Sequence, residues 1–431
     1  MTSMKNKYGI LCILLIILFF GGMTQNSQIA DAKKITTSSR QKNPPANYST
    51  RYKGWASCKP SYMTIYNGKY ATMSYWDVKK TITVEYFNSK FKSTFSKRFK
   101  IEDQYFGGFY CDGTYFYTVT GNDNLKESNT KTCYRVTKYS GSWKKLKVLD
   151  IKNCNTYVPF SHGSCTINAF GEKLYIKTCR TIYAIKGVHH QTNAVFVIDT
   201  NTMQILEQYT GIQNSKYGYV SHSWNQLSVM DNDQFVTVDQ GDASPRGIVL
   251  STPYDENRTT IFDFSTGAHD KKSYVYQQTG AAICDVDVSA QKYFVTGASV
   301  NQKKAEHDAS LLRKLWQKGN LMLLVTDKAT KKTEVKWLTH SKNGGDWTLP
   351  YIDKISENRF VVRWSNYGNG KSYYRVMDAE GNFVGKMHTV KDPENLLSME
   401  SSVVKNGKLY TYCRVFDKNK MNFYILSLGK K

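Results

Sequence analysis

A short turn, one polar residue and then an apolar strand recur seven times along this 431-residue chain. That repeat limits the possible folds more than any other feature. The copies are Asn67-Gly68-Lys69-Tyr70, Asp112-Gly113-Thr114-Tyr115, Gly171-Glu172-Lys173-Leu174, Asn232-Asp233-Gln234-Phe235, Ala290-Gln291-Lys292-Tyr293, Glu357-Asn358-Arg359-Phe360 and Asn406-Gly407-Lys408-Leu409. Their fourth residues are separated by 45, 59, 61, 58, 67 and 49 positions, a period suited to propeller blades. Asn-Gly and Asp-Gly tolerate the positive φ that tight hairpins require, so these are turns with a mechanism. Two further strands follow each marked one, as at 194–199 and 203–209, 321–327 and 331–338, and 372–378 and 382–388. Each unit therefore reads as a four-stranded antiparallel meander, A to D, with the marked turn between A and B. Such a sheet cannot bury its apolar face alone, and radial packing around an axis solves the problem. The expectation is an all-β, seven-bladed β-propeller. The seventh unit contains only three strands, so residues 48–58 are expected to supply its fourth and latch the ring, giving a propeller domain over 48–430.

Residues 1–32 read as a secretory leader. Lys5 and Lys7 precede an apolar run at 9–20, and Ala30-Asp31-Ala32 matches an A-x-A cleavage pattern. The apolar run is shorter than a comfortable bilayer span, so membrane association is expected only if the leader stays uncleaved. Residues 33–47 then read as a basic, flexible linker. The chain carries 59 Lys+Arg against 35 Asp+Glu, a net +24. Removing the leader takes away only Lys5, Lys7 and Asp31, so the positive charge belongs to the mature protein and favours anionic partners. Beyond the leader the cysteines show no C-x-x-C spacing, which argues against thiolate metal sites. Cys58 with Cys413, and Cys165 with Cys179, are the candidate disulfides.

Long insertions fall mostly between strands B and C, at 121–131, 180–193, 240–246 and 301–320. These connections and the D-to-A crossovers share one face, the expected functional face. Two copies begin strand A with a Ser-His pair, Ser161-His162 and Ser221-His222. The loop expected after strand B of the fourth copy, Asp239-Gln240-Gly241-Asp242-Ala243-Ser244-Pro245-Arg246, belongs to the same face. His162, His222, Asn225, Gln226, Asp242, Arg246 and Trp347 are the candidate ligand-binding residues, with His189 and His190 added by the third copy's long loop. Within 301–320, Leu311, Leu312, Leu315 and Trp316 alternate with Arg313, Lys314 and Lys318, a pattern for a short amphipathic helix.

No G-x-S-x-G, H-E-x-x-H, P-loop or G-x-G-x-x-G motif occurs. Basic and aromatic residues are dispersed without a nucleic-acid module. The turn repeats, the Ser-His pairs and the stretch at 220–250 (VSHSWNQLSVMDNDQFVTVDQGDASPRGIVL) resemble secreted bacterial β-propeller proteins of no settled function. The resemblance implies a propeller fold and export, without an activity. The function expected is a secreted or surface-associated, monomeric binding protein, with no cofactor, no metal and no nucleic-acid partner. Its ligand would be an anionic polysaccharide, a wall polymer or a protein. The alternative is a polysaccharide lyase in which Arg246 neutralises a uronate carboxylate and His162 or His222 acts as base.

Overall fold

The chain places all seven marked turns between the first two strands of a four-stranded antiparallel sheet. The computed structural model describes residues 32–40, 59, 61–161, 165–212, 216–217, 222–242, 246–253, 258–264, 278–392, 402–415, 419–426 and 428. Blade 1 consists of Ser61–Tyr66, Lys69–Trp76, Thr81–Phe87 and Ser93–Lys100. Blade 2 follows with Tyr105–Cys111, Phe116–Gly121, Tyr134–Tyr139 and Lys145–Ile151. Blade 3 has Cys165–Phe170, Lys173–Thr181, Gln191–Asp199 and Ile205–Tyr209, with Val158–Pro159 extending its sheet beside the end of the second strand. Blade 4 is built from Ser223–Asp231, Gln234–Gly241, Gly247–Ser251 and Thr259–Asp263. Blade 5 uses Ala281–Val288, Lys292–Ser299, Asn320–Asp327 and Thr333–Trp337, and blade 6 uses Tyr351–Ser356, Arg359–Asn366, Lys371–Asp378 and Phe383–Lys391. Blade 7 supplies Ser402–Lys405, Lys408–Arg414 and Lys420–Leu426. Asn67 and Gly68 both have positive φ, 45° and 70°, the paired left-handed geometry of a tight hairpin turn.

Closure is visible in the inner strands. Strand A of each blade contacts strand A of the next, and that of blade 7 contacts that of blade 1. An apolar cluster fills each seam between neighbouring blades. This is the radial burial that a lone meander lacks. The blade 7–blade 1 seam is aromatic: Tyr70, Phe87 and Phe91 pack against Tyr410, Tyr412 and Phe423, with Phe91 and Phe423 ring centroids 4.5 Å apart.

The fourth strand of blade 7 differs from expectation. Ala32–Ser38 pairs antiparallel with Lys420–Leu426, in register from Ala32 opposite Leu426 to Ser38 opposite Lys420. Part of the expected linker is therefore the latch, whereas residues 48–58 lie outside the described residues. Ile35 packs into the blade 7–blade 1 seam, and the β-branched Ile-Thr-Thr run suits a strand at the ring's edge. Past the latch, the chain is tied to blade 1 through a buried carboxylate. Ser39 Oγ donates to Glu85 Oε2 at 2.7 Å and the Arg40 backbone N–H to Glu85 Oε1 at 2.8 Å. Ile35→Asp places a carboxylate against this apolar seam, and a loss of about 2–3 kcal/mol in urea unfolding is expected. Lys33→Ser, on the exposed face, should move the midpoint little.

Three further expectations change. Cys165 stands opposite Thr178, so strand alternation turns Cys179 to the other face and the two cannot meet across the hairpin. Of the pair Cys58–Cys413, Cys413 is a buried free thiol and Cys58 lies outside the described residues. The insertion in blade 5 opens with a one-turn helix, Gln302–Ala305, and its Leu311–Trp316 part is a 3-10 turn, Ala309–Arg313, followed by a short helix, Leu315–Lys318, rather than one helix. Lys314, with φ −107° and ψ 28°, breaks the register. Leu312 is buried beneath the insertion and Trp316 remains exposed.

Candidate functional site

Two loops and one strand start bring a histidine pair together on the loop-bearing face. His190 ends the B-to-C loop of blade 3, and His222 precedes strand A of blade 4. The His190 backbone carbonyl accepts from the Ile182 N–H at 3.0 Å, which fixes that loop to the end of strand B. His190 Nδ1 lies 3.3 Å from His222 Nε2, and the two rings stack with centroids 5.5 Å apart at 18°. Behind them, His222 Nδ1 lies 3.3 Å from Asp242 Oδ1. Asp242 is buried, whereas the His222 side chain is 36% exposed. His222 has φ 51°, a left-handed backbone uncommon for a residue with a β-carbon. Such local strain persists only where the surroundings enforce it.

The electrostatics follow from this chain of three groups. The Asp242 carboxylate raises the pKa of His222 above the ordinary imidazole range, against a smaller opposing effect of burial. With a proton on Nδ1 facing Asp242, His222 Nε2 accepts from His190 when neutral and donates to it when cationic. In the cationic form both His222 N–H groups are engaged, Nδ1 by Asp242 and Nε2 by His190 Nδ1, so the remaining ring N–H of the pair is on His190 Nε2. Ile182, Ile185, Thr192, Ile212 and the two histidines line a cleft of about 220 Å³.

Arg246 organises the Asp242 loop. Its Nη1 donates to the Asp242 carbonyl at 2.7 Å and its Nη2 to the Gln278 carbonyl at 2.6 Å. Asp239, Gln240 and Gly241 belong to strand B of blade 4 instead of the loop that follows it. Asp239 is buried and forms an ion pair with the fully buried Lys177 of blade 3. It also accepts from Ser223 Oγ at 2.6 Å and Asn193 Nδ2 at 3.2 Å. This network reaches Ser223, the residue after His222, and was not singled out from the sequence. A lysine inside the strand B segment Leu174-Tyr175-Ile176-Lys177 of blade 3 was the available signal.

Other expected site residues lie elsewhere. Asn225 and Gln226 are both buried because the ladder shifts register between Trp224 and Gln226. Asn225 Nδ2 donates to the Ile283 carbonyl and Gln226 Nε2 to Ser223 Oγ, so both amides stitch the interior. Trp347 packs in the blade 5–blade 6 seam, edge-on to Tyr373 at 6.0 Å, two blades from the histidine pair. His162 and Ser221 lie outside the described residues. His189 stacks on Tyr157 at 3.8 Å and its Nδ1 is 2.8 Å from the Ile182 carbonyl, so it supports the loop.

A second polar group escaped the sequence reading. Desolvation pushes Asp285 up to about 6 and Asp287 up to about 7, with Asp353 adding repulsion to both. They lie on the inner strand of blade 5, where Asp285 Oδ2 accepts from the Ile352 N–H of blade 6 at 3.2 Å. Asp353 is held by Arg363 Nε at 2.7 Å and by Ser402 Oγ, so this group bonds blades 5, 6 and 7 together. Among the described residues, no three His, Cys, Asp or Glu side chains are grouped so as to hold a metal ion.

No protein-family model and no curated protein matches this chain. Among solved structures, it is similar to the β-propeller domain of the Trilobed protease from Pyrococcus furiosus, with a TM-score of 0.46 and 10% identity over 86% of this chain and 97% of that one. It is also similar to a protein of unknown function from Dyadobacter fermentans, with a TM-score of 0.44 and 6% identity over 92% and 99% of the two chains. An α-L-arabinofuranosidase from Fusarium graminearum aligns with a TM-score of 0.41 and 9% identity over 91% and 97%. No activity or residue role passes to this chain from similarities of this size.

Proposed function

We propose that this protein is an exported, surface-associated propeller that binds an anionic glycan or wall polymer on its loop-bearing face. The observation that carries the reading is the His190–His222–Asp242 chain at the cleft. The charge of the protonated pair, offered through the His190 Nε2–H, suits a carboxylate or phosphate, and the flanking Ile182, Ile185 and Ile212 suit the less polar body of a ligand. The net charge of +24 would concentrate such polymers near the protein. The leader-like residues 1–32 support export. A lyase reading draws less support, because Arg246, its carboxylate neutraliser, donates to two backbone carbonyls.

The test is an array of neutral and acidic glycans and wall polymers probed at two salt concentrations. Charge-driven retention should weaken at the higher salt, while preference among acidic ligands should survive if the cleft contributes. Equal loss of binding to every acidic polymer would leave the cleft with no part in recognition. An unsaturated, ultraviolet-absorbing product would favour the lyase.

A further inference from the structure

We infer that Cys133 and Cys154 are a disulfide-forming pair that covalently staples the seam between blades 2 and 3. Cys133 stands just before strand C of blade 2, and Cys154 lies in the crossover that leaves strand D. The Cys133 N–H donates to the Ile151 carbonyl at 3.0 Å, closing the base of that hairpin. Both side chains are completely buried in the same apolar cluster, and each thiol acts on the ionisation of the other. Cys133 Sγ is also 3.6 Å from the Thr156 carbonyl, while Thr156 Oγ1 donates to the Cys154 carbonyl at 2.8 Å. Two paired thiols in a closed interior already occupy the volume a disulfide needs.

The neighbouring cation distinguishes the two sulfurs. Arg180 is buried and its guanidinium points at carbonyls: Cys154 at 2.9 Å, Gly211 at 2.8 Å, Asn193 at 3.2 Å, and Asn155. Hydrogen bonds from Cys133 and Thr156, with the Arg180 charge, hold the Cys154 thiol below the ordinary cysteine range. The partner thiol is pushed up, chiefly because it is the donor. In the closed seam Cys154 is therefore the more acidic of the two thiols.

With a low-molecular-weight disulfide such as oxidised glutathione, the thiolate of one cysteine attacks one glutathione sulfur and expels a glutathione thiolate. The thiolate of the other then displaces the second glutathione from the mixed disulfide. The two protons given up by the cysteines end on the two expelled thiolates, so two cysteine thiols are oxidised and one glutathione disulfide is reduced to two thiols. Burial directs this exchange to the folding chain, before the seam closes. The bridge fixes the crossover whose Asn155 Oδ1 accepts from the Tyr183 N–H at 3.1 Å, one residue from Ile182 in the histidine cleft. The pairing is independent of which ligand that cleft takes.

The test is to refold the full chain with reduced and oxidised glutathione, alkylate it under denaturing conditions and map its peptides by mass spectrometry. One linked species joining the Cys133 and Cys154 peptides is expected. Closing a loop of roughly 20 residues should raise the unfolding midpoint of the oxidised chain by about 4 °C over the reduced one. Cys154→Ser should leave Cys133 alkylated, whereas Cys179→Ser should leave the linkage intact. Alkylation of both thiols in the refolded wild-type chain, or their linkage to other cysteines, overturns the assignment. Because the wild-type map decides by itself, a variant that fails to fold does not obscure the result.

Discussion

Replacing Asp239 by alanine is expected to destabilise the protein by about 3–5 kcal/mol, read as a lower midpoint in urea unfolding. The expectation rests on what is left behind. Lys177 is fully buried, and burial already pushes its ammonium below the ordinary lysine range while Asp239 pulls the other way. Without that carboxylate, a cation remains in the seam between blades 3 and 4 with no opposite charge. Ser223 Oγ and Asn193 Nδ2 lose an acceptor at the same time. Breaking a buried pair is expensive, whereas replacing both members with apolar groups is often tolerated. Lys177→Met combined with Asp239→Leu should therefore recover most of the loss, a non-additivity that a double-mutant cycle would register. A loss under about 1 kcal/mol for Asp239→Ala would mean that water or another anion reaches Lys177, contrary to the packing described.

The second large effect concerns His222. His222→Ala should weaken binding of an acidic oligosaccharide by roughly 10–100-fold, the range expected for removing one charged hydrogen bond. Asp242→Asn should weaken it less at low pH and more near neutrality, because the imidazole then loses its proton earlier. The sign follows from the raised pKa of His222 in the folded chain. Its contribution to stability is fully present below the unfolded histidine pKa of about 6.5 and is lost as pH rises through the folded value. Since this side chain is 36% exposed, solvent screening keeps that contribution small. Ligand affinity measured by calorimetry is thus the sharper readout. An unchanged affinity in His222→Ala would remove this residue from recognition.

The architecture was legible because its signals are local. Asn67-Gly68 and Asn406-Gly407 specify turns over a few residues, and seven such turns leave few topologies. Closure was legible as a requirement but not in its detail. The edge of blade 7 selects its partner by register and by the fit of Ile35 into a seam assembled from residues far away in sequence. Nothing local marks residues 33–38 as that partner. For the site, His222 and Asp242 stood out as polar residues beside turns, but their contact with His190 crosses from one blade to the next. Asn225 and Gln226 misled for a related reason. Period-2 alternation should expose one of them, and the register shift at Trp224 turns both inward. Lys177, Asp239 and Arg180 were missed because buried charge resembles surface charge until its partners are placed.

The proposed binding depends on protonation of the His190–His222 pair, which Asp242 stabilises and which then offers an N–H to the anion. The most direct measurement is the affinity of an acidic oligosaccharide for the wild-type chain across pH, at constant ionic strength. The prediction is tight binding at low pH that persists above the ordinary imidazole pKa of about 6.5 and falls tenfold or more as His222 deprotonates. Affinity that stays flat through the imidazole range would contradict it.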